Sequence, residues 1–102
     1  MAITGFIQVR CKLGKAVKIL NEGWDLISTI KHQELAGRLQ DLIDTLQDPA
    51  TVIQSGSDET VYLYYRKLEK YLLVAVLKHY NGTSFLITAY LTDYVKKGKK
   101  IL

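Results

Sequence analysis

The carboxyl-terminal half of the sequence contains three runs of alternating residues that are typical of β-strands, and short turns join them. The runs are residues 60–66, 71–79 and 84–92. Asn81 and Gly82, a pair strongly favoured in two-residue hairpins, separate the last two runs. Residues 51–55 form a further short run, preceding a turn at Ser55-Gly-Ser-Asp58. The sequence therefore predicts a four-stranded antiparallel meander.

A helix is predicted immediately before this meander. Its apolar residues recur at helical spacing and form one stripe, and they are Leu35, Leu39, Leu42, Ile43 and Leu46. Pro49 follows the stripe and marks its end. Trp24, Ile27 and Ile30 indicate a shorter helical segment upstream, and residues 3–20 indicate two short strands around Gly14.

The composition favours one self-sufficient domain spanning residues 1–102. Of its 102 residues, 48% are hydrophobic, enough for a single core. Cys11 is the one cysteine, so no internal disulfide can form and a cytoplasmic setting is expected. No long apolar run or secretory signal is present, so we expect neither export nor membrane insertion.

Much of the positive charge lies in a basic tail, residues 95–102. The net charge is +4, and the tail contributes Lys96, Lys97, Lys99 and Lys100. A solvated tail and a phosphate-binding tail fit this pattern equally well.

A two-residue turn at Asn81-Gly82 predicts which strand residues share a face. Val76 then opposes Ile87, Val74 opposes Ala89, and Leu72 opposes Leu91. We expect the leucine-striped helix to cover this side. Ala75 lies opposite Thr88 on the other side, whose polar residues include Tyr62, Tyr64, Arg66, His79, Ser84, Thr88, Tyr90 and Thr92. The predicted fold is therefore α+β, with amino-terminal short strands and two helices on one face of the four-stranded meander.

The polar face contains residue types suited to a phosphodiester. Arg66 offers a planar fork of donors for phosphate oxygens, and Thr88 or Ser84 offers a further hydrogen bond. Tyrosines such as Tyr62, Tyr64 and Tyr90 can stack on unpaired bases. No glycine-rich phosphate loop or metal-binding motif accompanies them, so a site without metal or cofactor is expected.

RNA cleavage without a metal needs proton transfer and stabilisation of the phosphate charge. His32 is the candidate for proton transfer, because an ordinary histidine titrates near neutral pH. Each candidate also has a structural interpretation. His32 can serve as a cap or surface residue, His79 can be simply exposed beside its turn, and Arg66 can pair with Glu69 or Asp93.

The order of several short motifs resembles a nuclease superfamily. They are Lys31-His32-Gln33-Glu34, the amphipathic helix, Asp48-Pro49-x-x-Val52-Ile53, Tyr64-Tyr65-Arg66 and Phe85-Leu-Ile-Thr-Ala-Tyr-Leu-Thr-Asp93. This order is similar to the phage-associated nucleases of the barnase, EndoU, colicin and RelE (BECR) superfamily. The resemblance covers roughly residues 24–100, although Gln33 stands where those proteins have proline.

The resemblance implies a compact α+β domain that cleaves RNA without metal, used as a toxin or in phage conflict. It matches His32, Arg66, Thr88 and Tyr90 to catalytic positions. The remaining residues expected to bind substrate are Tyr62, Tyr64, His79, Ser84, Thr92, Lys96 and Lys97. The alternatives are a protein-binding module whose partner is an antitoxin or immunity protein, and nucleic-acid binding without cleavage.

Overall fold

The protein is built on one mixed sheet of seven strands, and the computed structural model describes residues 5–102. The strands are β1 (Phe6–Arg10), β2 (Ala16–Leu20), β3 (Thr51–Ser55), β4 (Val61–Leu68), β5 (Tyr71–Tyr80), β6 (Thr83–Thr92) and β7 (Gly98–Lys100). Their order across the sheet is β1-β2-β6-β5-β4-β3-β7. The helical segments are α1 (Asn21–Leu26), a π-helical turn (Ile27–Lys31), a 3-10 turn (Gln33–Leu35) and α2 (Leu39–Gln47).

The α+β class is confirmed, but the sheet is larger than the predicted four-stranded meander. β3 to β6 do form an antiparallel meander. β2 joins it in parallel through Val17 and Lys18, so β1 and β2 extend the same sheet. At the other edge, β7 from the predicted basic tail pairs with β3. The prediction that the amino-terminal strands and the tail lie outside this sheet is therefore wrong.

The predicted turns are confirmed at positions whose positive φ angles favour glycine or asparagine. Asn81 and Gly82 have φ angles of 52° and 74°, which fits a two-residue hairpin that needs left-handed conformations. Gly14, between β1 and β2, has φ of 83°. Ile3 and Thr4, included in the predicted strand region, lie outside the described residues.

The predicted leucine-striped helix is divided in two. Leu35 belongs to the 3-10 turn, and Gly37, with φ of 76°, separates this turn from α2. Leu42 and Leu46 of α2 are completely buried against the sheet, so the stripe does identify the packed side of the helix. Among residues 5–102, no helix is long and apolar enough to span a membrane.

The helix packs on the opposite sheet face from the one predicted. The main core contains Leu42 and Leu46 together with Tyr64, Leu73, Ala75, Leu77 and Ala89, and this side is the helix-covered face. Ala75 and Ala89 pair with each other and have no exposed surface. Two small side chains at the sheet centre allow α2 to approach closely.

The other side of the sheet is the open face, and it also carries a small core. Leu63, Tyr65 and Val74 are buried there, and every described residue of this cluster lies on a strand. Because β4 and β5 are apolar on both sides, the strand sequences do not indicate which side the helix covers.

A β-bulge changes the face of the second half of β6. Lys78 pairs with Phe85 and Leu77 with Leu86, as the hairpin turn predicts, but Val76 pairs with Thr88 rather than with Ile87. Ile87 is therefore an extra residue in its strand. The predicted opposition of Ala75 and Thr88 is wrong.

The bulge moves three hydroxyl-bearing residues away from the helix. Thr88, Tyr90 and Thr92 pair with Val76, Val74 and Leu72, so they lie on the open face. Ser84 precedes the bulge and stays on the helix-covered face with His79. The four β6 hydroxyls were predicted to share one face, and the structure divides them between two faces. They belong to Ser84, Thr88, Tyr90 and Thr92.

Candidate functional site

A pocket on the open face lies beside the segment that links β6 to β7. This segment, residues 93–97, crosses from β6 toward the distant edge strand β7, and we call it the strap. The strap pocket has a volume of about 480 Å³. Its lining residues are Ser55, Gly56, Ser57, Val61, Leu63, Val76, Thr88, Tyr90, Lys96 and Lys97.

Two anchors fix the strap over the open face. The Lys96 backbone N–H donates a hydrogen bond to the Tyr65 hydroxyl at 3.0 Å. Burial raises the pKa of Tyr65 above its ordinary value, so this hydroxyl remains neutral. Beyond the strap, Lys99 and Lys100 pair with Gln54 and Ile53 of β3. Lys96 and Lys97 are therefore parts of a defined wall.

The Tyr90 ring brings together groups from two distant parts of the chain. The His32 ring centre lies 5.9 Å from that of Tyr90. The Lys96 Nζ lies 5.9 Å from the same tyrosine ring. The His32 imidazole, the Tyr90 phenol and the Lys96 ammonium group thus form one cluster beside β6 and the strap.

The helical turns hold His32 beside β6. The His32 backbone N–H donates to the Ile27 carbonyl at 2.7 Å, which ends the π-helical turn. Leu35, in the following 3-10 turn, is completely buried and anchors this stretch in the main core. The His32 Nδ1 lies 3.6 Å from a Glu34 carboxylate oxygen, while about a third of the imidazole side chain remains exposed.

The structure does not place Arg66 in this cluster. Arg66 pairs across the sheet with Leu73, which in turn pairs with Leu91, so Arg66 belongs to the helix-covered side. Thr88 and Tyr90 lie on the open face. Arg66 and Thr88 therefore cannot hold one phosphate group between them.

Arg66 instead forms an ion pair that was not among the predicted ones. Its Nη1 donates to the Asp48 carboxylate at 3.0 Å and to the Asp48 carbonyl at 2.7 Å. The predicted alternatives, Glu69 and Asp93, are not its partners among the described ion pairs. Arg66 thus fastens the end of the α2 region to β4.

Five of the predicted substrate-binding residues lie away from the strap pocket. Tyr64, His79 and Ser84 are buried on the helix-covered side, with Tyr62 half-buried beside them. The prediction that His79 is exposed beside its turn is wrong, because only 9% of its surface is accessible. Thr92 is on the open face, beyond the pocket, and its hydroxyl accepts a long contact of 3.5 Å from the Tyr94 N–H.

One wall of the strap pocket was not predicted from the sequence. Ser55, Gly56 and Ser57 line it from the turn between β3 and β4. The Ser-Gly-Ser turn was visible in the sequence, but nothing there indicated that the tail returns to pair with β3.

The strap pocket combines an apolar floor with cationic and neutral hydrogen-bond donors. Lys96 and Lys97 supply ammonium groups, and no carboxylate is among the lining residues. Thr88 adds a hydroxyl, and Tyr90 adds a ring on which a base can stack. No group of three or more potential His, Cys, Asp or Glu metal ligands occurs in the described part of the chain.

Comparisons of this chain with protein-family models, with curated proteins and with solved structures found no match.

Proposed function

We propose that the protein binds single-stranded RNA in the strap pocket and cleaves it as a metal-independent endoribonuclease. The observation that carries this proposal is that His32 and Lys96 both lie 5.9 Å from the Tyr90 ring centre. An imidazole and a cation are therefore next to the same aromatic ring.

The strap pocket suits a phosphodiester chain better than a neutral ligand. Lys96 and Lys97 attract phosphate oxygens, and the absence of carboxylates from the lining removes a source of repulsion. The Tyr90 ring and the apolar floor formed by Leu63 and Val76 accept a base.

Cleavage by this cluster uses the RNA's own nucleophile. His32 takes the proton from the 2′-hydroxyl, whose oxygen attacks the phosphorus, and the bond to the 5′-oxygen breaks. Lys96 stabilises the added phosphate charge and gives a proton to the departing 5′-oxygen. The products are a 2′,3′-cyclic phosphate and a 5′-hydroxyl end.

The resemblance to the BECR superfamily supports this proposal with a changed set of residues. The α+β class and the proximity of the His32 and Tyr90 rings agree with it. Arg66 departs from it, and here Lys96 takes the role of charge stabiliser.

A cleavage assay with single-stranded RNA in EDTA tests the proposal. We expect His32→Ala to slow cleavage by about 100-fold or more, the usual contribution of a proton-transfer group. Lys96→Gln should also lower the rate, whereas the matched variant Lys12→Gln, an exposed lysine outside the strap pocket, should keep it. Absence of cleavage in the wild type, or equal rates in wild type and His32→Ala, would contradict the assignment.

RNA binding without cleavage is a second candidate, favoured by the two strap lysines that face no lining carboxylate. It predicts an affinity for single-stranded RNA that falls steeply with salt. In that case Lys97→Gln weakens binding, while His32→Ala leaves both binding and the intact RNA unchanged.

A further inference from the structure

A second polar cleft lies beside the turns of the β1–β2 and β5–β6 hairpins, and we call it the hairpin cleft. Its volume is about 480 Å³, within the range of small-molecule sites. Arg10 and Lys15 line one side, and Tyr62, His79 and Ser84 line the other. None of its lining residues belongs to the strap pocket.

A chain of hydrogen bonds runs inward from this cleft. The Ser84 Oγ lies 2.7 Å from His79 Nδ1, and His79 Nε2 lies 3.1 Å from the Tyr64 hydroxyl. The Tyr64 hydroxyl in turn donates to the Cys11 sulfur at 3.2 Å. All four side chains are buried.

The direction of the last bond fixes the others. Because Tyr64 donates its proton to Cys11, its oxygen accepts from His79, whose Nε2 must carry the ring proton. Nδ1 is then unprotonated and accepts from the Ser84 hydroxyl. His79 is thus held neutral with its basic nitrogen directed at a serine on the wall of the cleft.

The positive charges of Arg10 and Lys15 in the hairpin cleft have no ion-pair partner among the described residues. Arg10 uses one N–H for the Gly14 carbonyl at 2.7 Å, which fixes its position and leaves other donors of its guanidinium. Lys15 is exposed and takes part in none of the ion pairs of the described residues. Among residues 5–102, no carboxylate lines the cleft.

We propose that the hairpin cleft binds a phosphate monoester through Arg10, Lys15 and Ser84, and that binding delivers one proton to His79. A dianionic phosphate matches the two cations, and its oxygens accept a hydrogen bond from the Ser84 hydroxyl. His79 Nδ1 then loses its donor, takes up one proton from the buffered solvent, and donates to the Ser84 oxygen. The phosphate charge compensates the new imidazolium.

The surroundings of His79 explain why this protonation needs the anion. Burial, followed by the positive charge of Lys15, lowers the pKa of His79 to about 4. The side chains in ring contact with His79 or hydrogen-bonded in this chain are Tyr62, Tyr64, Ser84 and Cys11, and none of them is a carboxylate. A bound phosphate supplies the missing negative charge.

The size of the cleft favours a ligand larger than inorganic phosphate. The half-buried Tyr62 ring, whose centre lies 4.9 Å from that of His79, gives the rest of the ligand an aromatic wall. A nucleoside 5′-monophosphate supplies both a dianion and a flat ring.

Nuclear magnetic resonance of the histidine ring nitrogens tests this proposal at about pH 6, where an ordinary histidine is mostly protonated and the free His79 is mostly neutral. Titration with inorganic phosphate or with adenosine 5′-monophosphate should move the His79 signals, saturably, toward those of an imidazolium. The nucleotide should bind more tightly than inorganic phosphate. Unchanged His79 signals with both probes would overturn the proposal.

Matched lysine variants distinguish this cleft from general attraction of anions. Lys15→Gln, at an exposed position, should weaken binding about tenfold through loss of a charge-assisted contact. Lys70→Gln, at an exposed position outside both pockets, should leave it unchanged. Equal weakening in both variants would show that the anion binds to surface charge in general. Since neither variant is read through RNA cleavage, this result is independent of the proposed ribonuclease.

Discussion

The two histidines of this protein, each close to a tyrosine, have opposite surroundings. His32 lies beside Tyr90 on the open face with a third of its side chain in solvent. His79 is buried, and both ring nitrogens are engaged by Tyr64 and Ser84. The contrast teaches that the same residue types support either accessible chemistry or a fixed internal network, and that burial decides which.

The largest expected difference between the two histidines is the pH dependence of stability. The pKa of folded His79, about 4, lies below the ordinary value of 6.5. Between these values the unfolded chain binds a proton that the folded protein does not, so stability is full above about pH 6.5 and falls as the pH decreases. We expect a loss of about 2 kcal/mol in the free energy of unfolding between pH 7 and pH 5.

Urea denaturation at the two pH values measures this loss. His79→Gln should remove most of the pH dependence, whereas His32→Gln should retain it. The same pH dependence in wild type and His79→Gln would assign the effect to other groups.

A second difference in stability, of similar size, is expected between two tyrosine hydroxyls. Tyr64→Phe leaves the His79 Nε2–H without its acceptor in a buried site, which should lower the free energy of unfolding by about 1–3 kcal/mol. Tyr90→Phe, on the half-exposed wall of the strap pocket, should change it by less than about 0.5 kcal/mol. Denaturant midpoints compare the two, and equal losses would contradict the distinction.

The smallest effect is expected at Arg66, which lies outside both clefts. Its ion pair with Asp48 is partly exposed, so Arg66→Gln should lower the free energy of unfolding by about 1 kcal/mol or less. RNA cleavage should remain at the wild-type rate. A large loss of cleavage in a folded Arg66→Gln protein would restore Arg66 to the site.

Local signals in the sequence predicted the fold well where one or two residues determine the geometry. Asn81-Gly82 identified a hairpin, and the leucine stripe identified the buried side of α2. The helix-covered face was not predictable in the same way, because β4 and β5 are apolar on both sides and only the complete packing decides between them.

The candidate site was predicted in part for a related reason. The side-chain types indicated His32, Thr88, Tyr90 and the strap lysines, and the structure places Thr88, Tyr90, Lys96 and Lys97 in one pocket with His32 beside Tyr90. Arg66 was assigned to the same face because the alternation was carried through Ile87. A bulge has no clear signature in an apolar strand, so that step failed.

The bulge at Ile87 makes the chemistry of the open face depend on strand pairing as well as on side-chain identity. If Ile87 entered the ladder opposite Val76, Thr88 and Tyr90 would turn toward α2, and Ala89 outward. No side chain would have been replaced, yet the pocket would lose both groups. The face of the sheet that carries this site is therefore set by one unpaired residue, and a change of register alone can reverse it.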